Sequence, residues 1–114
     1  MTVCVTGGRY YNDYQTVKVV LDGLHLRNPI TLLVEGGSTG ADTLANTWAR
    51  ENDVSCHKVK ADWERYGRSA GPMRNHMMLN LYNPDLLIAF PGGRGTEHCK
   101  RVARKLGIQI IEVE

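Results

Sequence analysis

Three apolar runs in this chain end in the same way. Val3-Cys4-Val5 enters Thr6-Gly7-Gly8-Arg9, Leu32-Leu33-Val34 enters Glu35-Gly36-Gly37-Ser38-Thr39-Gly40-Ala41-Asp42, and Leu86-Leu87-Ile88-Ala89-Phe90 enters Pro91-Gly92-Gly93-Arg94-Gly95-Thr96. Short, continuous apolar runs bounded by turn residues read as buried strands of a parallel sheet. Glycine after a strand and before a helix lets a ligand approach the backbone, and the free N–H groups of the helix N-terminus favour an anion. One such loop is an ordinary turn as readily as a site. Three on one sheet edge point to a ligand, because an open parallel sheet binds its ligands beyond the carboxyl ends of its strands.

Between these runs the spacing is helical. Tyr14, Val17, Leu21 and Leu24 recur along one face, and Asn28-Pro29 ends that segment; Ala41, Leu44, Ala45, Trp48 and Ala49 make a second apolar stripe, with Asn46, Thr47 and Arg50 facing elsewhere. Strands are expected over residues 2–6, 30–34, 55–59, 85–90 and 108–113. Residues 61–71 read as irregular. A third helix is expected from Pro72, with Met73, Met77 and Leu81 along one side, and a last helix from Glu97 to Leu106. The alternation predicts a small Rossmann-like α/β sandwich: five mainly parallel strands with helices on both faces. Strand order 3-2-1-4-5 is expected, since it sets the first and fourth glycine loops face to face at the switch point.

With 114 residues, 42% hydrophobic, the expectation is one domain over residues 1–114. No apolar stretch is long enough to span a bilayer and no secretory leader is recognisable, so a cytoplasmic protein with no membrane partner is expected. Cys4, Cys56 and Cys99 lack metal-ligand spacing and read as reduced thiols, with neither a metal nor a cofactor expected. The net charge of +2 and the interleaving of Lys100, Arg101, Arg104 and Lys105 with apolar residues describe a solvated helix face, which makes nucleic acid a less favoured partner than a small molecule. The glycine loops fit neither the dinucleotide fingerprint nor the P-loop of ATPases.

The turn Pro91 to Thr96, with Arg74-Asn75-His76-Met77-Met78, resembles the paired motifs of the LOG phosphoribohydrolases, the lysine-decarboxylase-like enzymes that cleave the N-glycosidic bond of cytokinin nucleotides. Gly36 to Asp42, with Ala45 and Trp48-Ala49, resembles the glycine motif of the DprA proteins. Taken with Gly7-Gly8-Arg9-Tyr10, Ala61-Asp62-Trp63 to Gly67 and Ala70 to Asn75, the whole set is most similar to the YspA/cpYpsA-related branch of the SLOG superfamily. That resemblance implies a nucleotide or nucleotide-derived ligand, ADP-ribose-like molecules among them, and a homodimer carried by the Met73-Met77-Met78-Leu81 helix or the last helix.

Named roles follow for the residues themselves. Gly92, Gly93, Gly95 and Thr96 are expected to hold a phosphate; Gly36, Gly37, Ser38 and Gly40 to line the adjoining wall beside Gly7 and Gly8; and Arg9 and Arg74 to act as guanidinium clamps. Asp42 stands where it can face the ligand or cap its helix. Trp63 and Tyr66 offer rings that can stack on a base or anchor their loop. Where the hydrolases carry a glutamate in the run PGGxGTxxE, this chain has Cys99, and a thiol cannot replace a carboxylate at an oxocarbenium-like centre. Hydrolysis would then depend on Glu35, Asp62 and Arg74, the catalytic candidates that remain.

Overall fold

Along the first strand, β1 (Thr2–Thr6), Val3 and Val5 join the apolar cluster on one side of the sheet and Cys4 joins the cluster on the other, the period-two alternation of a strand covered on both faces. The computed structural model describes residues 1–114. After β1 come α1 (Tyr14–Arg27), β2 (Leu32–Glu35), α2 (Ala41–Glu51), β3 (Ser55–Lys58), α3 (Trp63–Tyr66), a 3₁₀ turn (Gly67–Ser69), α4 (Ala70–Tyr82), β4 (Leu86–Ala89), α5 (Arg94–Lys105) and β5 (Gln109–Glu112). All five strands are parallel, in the order β3-β2-β1-β4-β5. This is the expected Rossmann-like α/β architecture, and its strand order matches the expectation.

Helices α1 and α2 cover one face, where Val17, Leu21, Ala45 and Trp48 pack on Val3, Val5, Leu33 and Ile88. Helices α4 and α5 cover the other, where Met78, Leu79, Cys99 and Val102 pack on Cys4, Val34 and Leu87. Trp48 is fully buried, yet its indole N–H is satisfied by Asp22 at 2.8 Å, the condition under which a polar tip can enter a core. Asp13 caps α1 through its side chain, accepting from the Thr16 N–H at 3.1 Å.

Several boundaries differ from the sequence reading, each for a local reason. Strand β2 starts at Leu32, two residues after the expected start, and the Ile30 N–H before it is taken by His25 Nδ1 at 2.9 Å. Residues 61–71 are not irregular: Asp62 accepts the Arg65 N–H and starts α3, and α4 begins at Ala70, with Pro72 inside its first turn where no N–H is needed. Helix α5 begins at Arg94, three residues before the expected start, so Gly95 and Thr96 belong to its first turn. On α4 the side bearing Met73, Met77 and Leu81 is exposed, while Ala70, Gly71, Asn75, Met78 and Leu79 are buried.

Candidate functional site

The strand order sets the β1 loop between the loops of β2 and β4, and backbone hydrogen bonds fasten all three together. The Gly8 N–H donates to the Pro91 carbonyl at 2.8 Å, and the Gly8 carbonyl accepts from the Ala41 N–H at 3.1 Å. These contacts leave no room for side chains. A Cβ on Gly8 would stand 2.9 Å from the Pro91 oxygen, and one on Gly40, which has a φ of +78°, would collide with the Gly8 oxygen. Gly40 therefore holds the loops together, and it lines neither of the two cavities at this edge.

Above the joined loops lies an open cavity of about 620 Å³, within the range of small-molecule sites. Gly7, Gly8 and Arg9 form its floor, Gly36, Ser38 and Asp42 one wall, and Gly92, Gly93, Gly95 and Thr96 the other. Arg74 reaches in from α4, and Arg94 from the first turn of α5. No side chain caps α5, whose first intrahelical bond at this end runs from the Glu97 N–H to the Gly93 carbonyl at 3.0 Å. The N–H groups of residues 94–96 thus have no partner in their own helix, at the positive end of its dipole and at the rim of the cavity.

Two carboxylates brace the second loop. Glu35 is buried; it accepts from the Gly37 N–H at 2.5 Å and from Asn46 at 3.1 Å, and it lines neither this cavity nor its neighbour. Asp42 is not the cap of α2, which is Gly40; its Oδ2 accepts the Ser38 N–H at 3.2 Å while the residue lines the cavity. Burial, reinforced by the neighbouring charge of Glu35, pushes the Asp42 carboxyl up to about 7. Among the three catalytic candidates, only Arg74 borders the cavity. Asp62 sits outside it as the N-cap of α3. Cys99 is buried in the cluster beneath α5, with its thiol pushed up to about 11 mainly by that burial, so it supplies no charge to the site.

The cavity also gathers residues that the sequence reading did not assign. Asn75 is buried beside Arg74, accepts from its Nε at 3.0 Å, and donates to the Gly95 carbonyl at 3.2 Å, tying α4 to α5. Its amide also faces His98 Nδ1 at 3.1 Å. Burial and the charge of His76 hold the His98 imidazole below its usual pKa. Val5, Thr6, Tyr10, Tyr11, Met78 and Pro91 complete the lining, and the Tyr11 ring packs on Phe90 with centroids 5.5 Å apart. In the sequence Asn75 stands between Arg74 and His76, a polar run that reads as solvent-facing unless its distant partners are known.

A second cavity of about 360 Å³ adjoins the first and shares Arg9, Gly36, Ser38 and Arg74 with it. Gly37 lines this chamber rather than the main one, together with Thr39, Lys60, Ala61 and Trp63. The Thr39 hydroxyl donates to the Arg9 carbonyl at 3.0 Å.

Fold and glycine-lined edge together define a Rossmann-like α/β protein of the open parallel-sheet class. Residues 1–66 match the family described as YspA, cpYpsA-related SLOG (YAcAr), and the chain belongs to that family. It is 42% identical over 118 residues to the Gene 61 protein of Mycobacterium phage D29, covering 96% of this chain and 93% of that protein. DNA processing protein A (DprA) of Streptococcus pneumoniae has the same fold, with a TM-score of 0.80 at 19% identity over 99% of this chain. DprA of Helicobacter pylori, whose structure was described for its single-stranded DNA binding mode, gives a TM-score of 0.75 at 14% identity over the whole chain. The chain spans 50% of the first DprA structure and 65% of the second. No helix is long and apolar enough to cross a membrane.

Proposed function

We propose that residues 1–114 form one binding domain for a nucleotide or nucleotide-derived ligand, ADP-ribose-like in character, which acts as a sensor or a sequestering protein in the cytoplasm. The observation that carries this reading is the convergence of three glycine loops, the three arginines Arg9, Arg74 and Arg94, and the uncapped N-terminus of α5 on one cavity. A phosphate would accept from the α5 N–H groups, and Arg9 and Arg74 would offset its remaining charge. Binding without turnover is the form supported: the position of the hydrolase glutamate is a buried thiol, and Glu35 is occupied by the loop it braces. We further propose that a second copy of the chain covers the exposed Met73, Met77 and Leu81 face of α4.

A single-stranded DNA reading is favoured by two observations, the likeness in fold to DprA and the exposed rings of Tyr10 and Trp63 at cavities that also hold Arg9 and Lys60. Titration calorimetry with ADP-ribose and, separately, with an oligothymidylate distinguishes the two. Saturable nucleotide binding that the oligonucleotide cannot displace supports the first reading; binding of the oligonucleotide alone overturns it.

A further inference from the structure

The second chamber has a composition that the glycine-loop chemistry does not explain. Arg9, Lys60 and Arg74 line it, with no carboxylate among its lining residues and none of the three cations in an ion pair. Its aromatic residue, Trp63, is half-exposed at 51%, yet it is not loose: the benzo edge packs on Gly71, where an added Cβ would lie 3.0 Å from Cη2. The stem of Lys60 lies across Gly37, with its Cγ 3.1 Å from where a Cβ would stand, which carries the ammonium to the chamber. A fixed aromatic face beside unpaired cations suits a base attached to a phosphate, through stacking and charge together. Tyr10 in the first chamber is less suited to this task, since it is 89% exposed, and Tyr11 already packs on Phe90.

We propose that the second chamber receives the heterocyclic base of the ligand, stacked on Trp63, while the phosphate occupies the first chamber, with Arg9 and Arg74 at the junction. The inference rests on the nucleotide reading above and makes the site selective for two-ended ligands. Sugar phosphates fill one chamber and leave the other to water. Arg9 and Arg74, common to both chambers, stand where the link between base and phosphate would pass.

The test compares the four ribonucleoside monophosphates with ribose 5-phosphate in the intact chain and in Trp63→Ala and Trp63→Phe. Trp63 and the fully buried Trp48 are the two tryptophans of the chain, so quenching of tryptophan emission by ligand reports on Trp63. The best nucleotide is expected to quench emission and to bind at least roughly 10-fold more tightly than ribose 5-phosphate. Trp63→Ala should erase that advantage while the chain still unfolds cooperatively, and Trp63→Phe should keep most of it. Nucleotide binding that neither quenches emission nor weakens in Trp63→Ala overturns this proposal and leaves the nucleotide reading standing. Absence of binding by every nucleotide overturns both, and an oligothymidylate bound in preference to them replaces the two-ended ligand with a strand.

Discussion

The guanidinium of Arg74 donates to the carbonyl oxygen of Gly36 over 2.6 Å, joining α4 to the glycine loop that follows β2. Its Nε donates to Asn75, so the side chain is held in one orientation with its charge at the boundary of two chambers. Arg74→Ala removes both the anchor and the cation. Nucleotide affinity is expected to fall by about 10- to 100-fold, the scale of a charge-assisted hydrogen bond. Arg74→Lys should restore little of it, because an ammonium cannot reproduce the planar fork that reaches Gly36 and Asn75 together. Calorimetric titration of the two variants checks this, and a lysine variant binding like the native chain would show that charge alone matters.

Asp42 carries a pH dependence whose direction can be worked out. Its carboxyl is pushed up to about 7 from an ordinary value of 3.8, so the folded state holds the proton more tightly than the unfolded chain does. The associated stability is fully present below about 4 and is lost as pH rises through about 7. A negative charge on Asp42 also opposes an anion in the same cavity. Affinity for ADP-ribose, whose diester phosphates keep their charge through neutrality, is therefore expected to weaken as pH rises past neutral. Asp42→Asn should flatten that profile, and a wild-type affinity constant from pH 5 to 9 would contradict the placement of Asp42 beside the ligand.

Two glycine substitutions should separate folding from binding. Gly40→Ala meets both a left-handed backbone and the Gly8 carbonyl, so a loss of about 1–3 kcal/mol or more is expected in denaturant unfolding. A Cβ on Gly93 meets no atom within 4 Å and the residue lines the cavity, so Gly93→Val should leave unfolding little changed and block nucleotide binding. Should Gly93→Val bind nucleotide normally, the assignment of this loop to a phosphate is wrong.

Helix α4 shows where reading the sequence reached its limit. Strand order was legible, because three glycine loops have to meet at one edge and the order 3-2-1-4-5 brings the first and fourth together. Met73, Met77 and Leu81, spaced four apart, carry the hydropathy of a core face, yet the buried positions hold Gly71 and Asn75. Gly71 is there because the Trp63 ring lies on it, and Asn75 because Gly95 and His98, about twenty residues away, receive it. Neither partner is visible in local periodicity. Glu35 taught the same lesson at a strand end: its position suggested access to a ligand, while Gly37 and Asn46 turn its carboxylate inward. The named residues that do line the main cavity are glycines, from Gly7 to Gly95, which record a backbone approach directly, together with Arg9, Ser38, Asp42 and Thr96, whose polar side chains flank those loops in the sequence, and Arg74.

The exposed face of α4 makes a separate expectation for assembly. Light scattering at micromolar concentration should report a homodimer, and Met77→Glu, at a position 55% exposed, should convert it to a monomer without altering the melting temperature of the chain at high dilution. A native chain that is already monomeric removes the proposed interface.

The most direct measurement is a thermal-shift series of the purified chain against AMP, ADP, ADP-ribose, NAD and a single-stranded oligonucleotide, with each mixture analysed by chromatography for released base. A ligand that binds only the folded state raises its melting temperature by mass action. Nucleotide binding without turnover predicts a saturable rise with a nucleotide, greatest for an ADP-ribose-like ligand, and no released base. No shift with any nucleotide, together with a shift for the oligonucleotide, would contradict it.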